Sequence, residues 1–254
     1  MGIAALTDAK TASTSLNDST SANSSSASAQ AATSTNPVAR AMGQAVARIQ
    51  TQLDTTSAQL SSFGKLKSSV SEAQLAAKAL GKLSNSSTGA EVQTALSRFV
   101  IGLNTAIATA KTTAALPGSA PTEASSAGRL SRDLSRSATS NIATVDALKR
   151  LGFKAQADGS FALDASKLEA AYKADPAAVR STLVKLGEAV ETVATKGLAT
   201  NASVSGSMAS LSQRATALKA QQTSMLAVVQ KLNTANSTGG NTGYVNYGVS
   251  AYRS

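Results

Sequence analysis

The sequence predicts a mainly α protein. Long N- and C-terminal helices form an antiparallel coiled coil, and between them lies a helical body containing one short β-hairpin. Three observations predict this. Apolar residues near both ends recur at alternating spacings of four and three, as in a coiled-coil seam. Aromatics are only 3% of the residues and Trp is absent, so alanine carries much of the 42% hydrophobic content. One Asp-Gly, flanked by Phe and Leu, interrupts the helical pattern. A fully buried Leu or Phe contributes roughly 1.5–3 kcal/mol. A chain short of such residues favours thin, elongated helix packing.

Residues 1–36 hold "STSANSSSASAQAATSTN", too little apolar surface to offset ordering entropy, and read as a disordered Ser/Thr-rich tail. Pro37 suits the first turn of a helix. The N-terminal coiled-coil helix, within 37–84, has the seam Met42, Val46, Ile49, Leu53, Thr56, Leu60, Phe63, Lys67, Val70, Gln74, Ala77 and Leu80. Thr56, Lys67 and Gln74 are polar intruders, and Leu66 can rotate in beside Lys67. Gly81 and "NSSTG" end the helix.

The helical body spans 85–200. Its first helix starts near Ala90 and repeats Val92, Leu96, Phe99, Leu103 and Ile107. "LPGSAPTEASSAG" reads as a loop from its Pro and Gly content. Short helices follow, one through Leu130 and Leu134 and one carrying Ile142, Val145, Leu148 and Leu151.

A hairpin is expected near 152–163. A two-residue loop at Asp158-Gly159 would put Phe153 on the opposite face from Phe161 and Leu163. A three-residue loop, 157–159, pairs Ala155 with Phe161 and Phe153 with Leu163, puts all four on one face, and gives Gly159 a left-handed bulge position. The second register is favoured. Asp164 or Ser166 caps the next helix, Ser166 with Glu169 having capping-box spacing. Asp175-Pro176 then ends one helix and starts another, with Asp as N-cap. Val179, Leu183, Leu186, Val190 and Val193 continue the four-three stepping. The C-terminal coiled-coil helix, 201–235, has the seam Val204, Met208, Leu211, Ala215, Leu218, Gln222, Met225, Val229 and Leu232. Residues 236–254 read as a flexible tail holding three of the four tyrosines.

Several function classes lose their chemistry. Without Cys there is no disulfide, thiolate ligand or thiol nucleophile, and without His the usual general base and commonest metal ligand are missing. Asp164 and Glu169 are explained by helix capping rather than paired-acid catalysis. "STGGNTG" lacks the Lys and following helix of a phosphate loop. No enzyme activity, cofactor or metal is expected. The net charge of +10 raises nucleic acid as a partner, but charged residues are only 15% and no basic run appears. The densest group, Arg129, Arg132 and Arg136, encloses Asp133. A mildly basic, solvated helical surface is the better reading. No stretch approaches the ~20 apolar residues of a membrane span, and the N-terminus lacks a signal-peptide pattern.

Three phrases carry a family resemblance. "RIQTQLDTTSAQLSSFGKLKSSVSEAQLAAKAL" (48–80) resembles the N-terminal helix of the flagellar filament cap, or hook-associated protein 2, family. "LSRFVIGLNTAIATA" (96–110) resembles its re-entry helix after large exposed domains. "LKRLGFKAQADGSFALDASKLEAAYKADPAAVRSTL" (148–183) is similar to its most recognisable stretch. The match covers roughly residues 40–235. The family carries large β-rich domains between its first helix and its re-entry helix. Here Leu80 and Val92 are nearly adjacent, so those domains are missing.

The resemblance implies a structural flagellar protein, a minimal filament cap that self-assembles at the filament tip and assists flagellin insertion. It implies a homo-oligomer that contacts flagellin and hook-filament junction proteins and takes an export chaperone. It also implies secretion to the extracellular flagellum by type III export, with no cleaved signal peptide and residues 1–36 as export signal. Ile49, Leu53, Leu60, Phe63, Val70, Leu211, Leu218, Met225, Val229 and Leu232 are the expected assembly interface. Phe153, Gly159, Phe161 and Leu163 are the expected structural hairpin. Two other readings stay open: a secreted cap-like paralogue acting as an adhesin or interaction protein, and a basic cytoplasmic coiled coil binding nucleic acid.

Overall fold

The structure is a computed structural model that describes residues 37–139, 142–199 and 203–239. The readings of 1–36 as a disordered tail and of the tyrosine-bearing C-terminus fall outside these residues. The described chain is mainly α: α1 (Pro37–Gly81), α2 (Gly89–Ala114), α3 (Pro121–Ser137), α4 (Ile142–Arg150), β1 (Phe153–Ala155), β2 (Phe161–Leu163), α5 (Ala165–Ala174), α6 (Pro176–Leu198) and α7 (Ser203–Gly239). It divides into two compact units. One contains residues 37–57 and 213–239; the other is Ala58–Ser212.

Local signals account for most helix ends. Thr88 caps α2, accepting from Glu91 N–H, while the Glu91 carboxylate accepts from the Thr88 N–H at 2.7 Å, a reciprocal capping box. Asp164, rather than Ser166, caps α5 by accepting from Lys167 N–H. Asp175 caps α6 ahead of Pro176, accepting from Ala178 N–H at 2.9 Å. The predicted loop "LPGSAPTEASSAG" is overturned past Ala120. Pro121 occupies the first turn of α3, and Glu123 reaches back to the Ala120 N–H at 3.1 Å. That starts a helix through the Ser/Ala run and Gly128. At the other end, α7 runs to Gly239, into the first residues of the stretch read as a flexible tail.

In the Ala58–Ser212 unit, α2 packs on α3, α5, α6 and β2, and α3 packs on α6. Phe63, Leu66, Leu80, Leu96, Phe99, Leu103 and Leu183 are fully buried among them. The thin packing expected from composition therefore gives way to a multi-helix core here, and small residues help make it possible. A Cβ on Gly187 of α6 would lie 2.5 Å from the Ala77 carbonyl oxygen of α1, so only glycine lets these helices come so close. Leu66 takes the seam position given to Lys67, which is exposed. A straight helix drifts about 20° per heptad against a 3.5 repeat, which over several heptads moves the buried stripe onto the neighbouring residue.

Candidate assembly surfaces

The terminal unit contains six of the expected interface residues. On α1, Ile49 and Leu53 are buried, as is Thr56, whose hydroxyl returns to the Gln52 carbonyl at 2.8 Å. On α7, Val229 is buried, while Leu218, Met225 and Leu232 are half-buried. Gln222, in the same stripe, is fully buried and donates to Gln50 Oε1, so the two helices meet there. Gln50 in turn donates to Asp54 at 2.8 Å. The Gln222 Oε1 has no partner among the described residues.

The other four belong to the second unit. Phe63, Val70 and Leu211 lie in its core and Leu60 packs against it, so they are spent on packing within the chain. Gln74, the third polar intruder, donates to Thr195 Oγ1 of α6 at 2.7 Å.

The hairpin adopts the three-residue-loop register, with Phe153 opposite Leu163 and Ala155 opposite Phe161. Gly159 takes φ +79°, the left-handed conformation a side chain would resist. Phe153 and Phe161 are buried and stack at 4.9 Å between ring centroids, while Leu163 is half-buried. Ala155 shares their face but is exposed.

Sequence reasoning missed what holds the hairpin. Asn104 of α2 donates to the Phe161 carbonyl at 2.8 Å and accepts from the Phe161 N–H at 2.8 Å. One amide thus satisfies both backbone groups on the outer edge of β2, as a third strand would. Lys111, two turns along α2, donates to the Asp158 carbonyl at the turn. The signal was a polar Asn within an apolar-stepping helix.

The α1–α2 connection is equally tied down. Residues 82–88 replace the large domains the resemblance leads one to expect. Tyr172 of α5 donates to the Ser87 carbonyl at 2.5 Å, and Arg180 of α6 donates to Tyr172 Oη and Asn85 Oδ1 at 3.2 and 3.3 Å. Beside this connection, α1 and α2 enclose an open groove of about 740 Å³ lined by Leu75, Ala76, Ala79, Ala95, Ile101 and Gly102, with Glu72, Glu91 and Arg98 on its walls.

The shifted carboxylates are structural. Glu91 is held below the usual carboxylate range by the Thr88 N–H and then its hydroxyl. Asp158 is lowered first by the Ser160 hydroxyl, then by the Ser160 N–H, with Lys111 adding to it. Glu169 is lowered by its hydrogen bond to Lys173. Among the described residues, no cluster of three or more His, Cys, Asp or Glu is placed to hold a metal, and no helix is long and apolar enough to cross a membrane.

Helices α3 to α6, the Asp-Gly hairpin and the Asp-Pro helix junction all lie within residues 90–238. Over those residues the chain matches the family model described as the flagellar hook-associated protein 2 C-terminus. The chain belongs to the flagellar hook-associated protein 2 family. That is a family of structural, extracellular filament-cap proteins of the bacterial flagellum, tied to motility. No curated protein and no solved structure matches the chain.

Proposed function

We propose that this chain is a minimal filament cap. Copies self-assemble at the growing tip through their terminal helices, paired as an antiparallel coiled coil, and their movement lets incoming flagellin fold and insert. Flagellin and the hook-filament junction proteins are its structural partners, a cytoplasmic chaperone accompanies it, and type III export carries it out without a cleaved signal peptide. The observation that carries the reading is the family match over 90–238. The unit of α1 and α7 residues, joined by Gln50 and Gln222, supports the helices as the assembling part. The work done is mechanical, so no catalytic residue is needed.

A second reading is favoured by the closed 82–88 connection, which holds no distal plate between α1 and α2. A secreted paralogue would keep the assembling leg and do another task, as an adhesin or interaction protein. Deleting the gene separates the two. Lost swimming with monomeric flagellin leaking into the medium supports the working cap. Normal filaments and normal swimming refute it and leave the paralogue.

A further inference from the structure

We infer that the groove between α1 and α2 is a self-association surface that receives the same groove of a second copy of this chain. Large apolar side chains are scarce in this sequence, yet two of them stand exposed here. Leu75 on α1 is 64% exposed and Ile101 on α2 is 66% exposed. They flank a floor of Ala76, Ala79, Ala95 and Gly102, small enough for another backbone to come close.

Charge argues for a second copy as the occupant. Glu72 stands on the α1 wall and Arg98 on the α2 wall, and neither makes an ion pair or hydrogen bond among the described residues. Glu91 is already engaged by Thr88. A two-fold axis along the groove sets the α1 wall of one copy against the α2 wall of the other. Gly102 packs on Ala73, so Leu75 and Ile101 stand at nearly the same level, and the axis brings each Leu75 to the Ile101 of the second copy. The two helices run antiparallel, as the Ser62–Thr113 and Ala73–Gly102 contacts show, so Glu72 and Arg98 differ in level by five residues, about 7.5 Å, which the glutamate and guanidinium side chains span together. Each Glu72 then meets the Arg98 of the second copy, twice per pair. Single-signed walls would instead select a partner of opposite charge.

The patch is about 20 Å long and two helices wide, on the order of 400 Å² per copy. That is about half a standard interface, so the pairing is weak and reversible. This goes beyond the cap reading, since neither depends on the other: a chain that never pairs through this groove can still cap filaments.

Sedimentation of the full chain up to high micromolar concentration tests it, with circular dichroism confirming the fold of each variant. The expected result is reversible pairing that Ile101→Ser weakens. Glu72→Arg and Arg98→Glu each weaken it about tenfold, by losing and reversing two rim contacts. Mixed in equal amounts, the two charge variants regain parental pairing, because each Arg then faces a Glu in both contacts. A parent chain that stays monomeric overturns the inference. So does a mixture no better than its components, which would place self-association elsewhere or give the groove to another partner.

Discussion

Asn104→Ala tests whether the hairpin is held by one side chain. The substitution removes both hydrogen bonds to Phe161, each 2.8 Å, and leaves an N–H and a C=O on the outer edge of β2 without partners. A buried orphan costs about 1–3 kcal/mol. Asn104 is only half-buried, so water reaches part of the site and the pair together costs about 2–4 kcal/mol rather than the full sum. Urea unfolding of parent and variant gives the magnitude, and hydrogen exchange at the Phe161 amide gives the location. Asn104→Asp refines the test. Its carboxylate can still accept from the Phe161 N–H but faces the Phe161 carbonyl where a donor stood. The variant is therefore weak at neutral pH, and its gap to the parent narrows as acid protonates the new carboxyl and restores a donor. A cost below about 0.5 kcal/mol for Asn104→Ala, with the Phe161 amide still protected, would refute the latch.

Three further outcomes follow from the same geometry. Gly187→Ala drives a Cβ to 2.5 Å from the Ala77 carbonyl and should cost about 1–3 kcal/mol, whereas Gly206→Ala, with nothing within 4 Å, should gain about 0.5–1 kcal/mol; calorimetry of both reads this directly. Gln222→Leu removes a buried acceptor that has no partner among the described residues, while half-buried Gln50 can turn to water, so chemical denaturation should show stability unchanged or raised by about 1 kcal/mol. Glu91, Asp158 and Glu169 have folded pKa values below their unfolded ones. Their contribution is therefore complete at neutral pH and is lost as the pH falls through the folded values, below the ordinary carboxylate range. Thr88→Ala should flatten that acid dependence in a pH series of melts, and an unchanged slope would count against the capping box.

How much was legible depends on whether the signal was local. Asp175-Pro176 and the hairpin register were readable because each is decided within a few residues: a cap and a fixed φ in one case, face-matching of Phe153, Phe161 and Leu163 in the other. The start of α3 was local too, but Gly and Pro content outweighed the Pro121 and Glu123 pattern that makes a helix start. Asn104, Tyr172 and Arg180 were not legible. Asn104 and Tyr172 act on backbone far away in sequence, at Phe161 and Ser87, Arg180 reaches the Tyr172 hydroxyl and the distant Asn85 side chain, and no spacing rule pairs such residues.

The heptad seam is the instructive mixture. Its periodicity located the buried stripe of α1, but identical periodicity cannot say what covers the stripe. Phe63 and Val70 are covered by the helices of their own unit, whereas Ile49 and Leu53 lie in a unit whose described residues belong to α1 and α7. Apolar residues of one repeat thus divide between a closed core and a two-helix element, where Leu218, Met225 and Leu232 remain half-buried. Under the proposed cap reading, the seam's share of assembly falls to Ile49, Leu53, Leu218, Met225, Val229 and Leu232. At Phe63 and Val70 the same kind of substitution would unfold the subunit before it disturbed any assembly, so seam variants that lose cap assembly yet stay folded should come from the terminal unit.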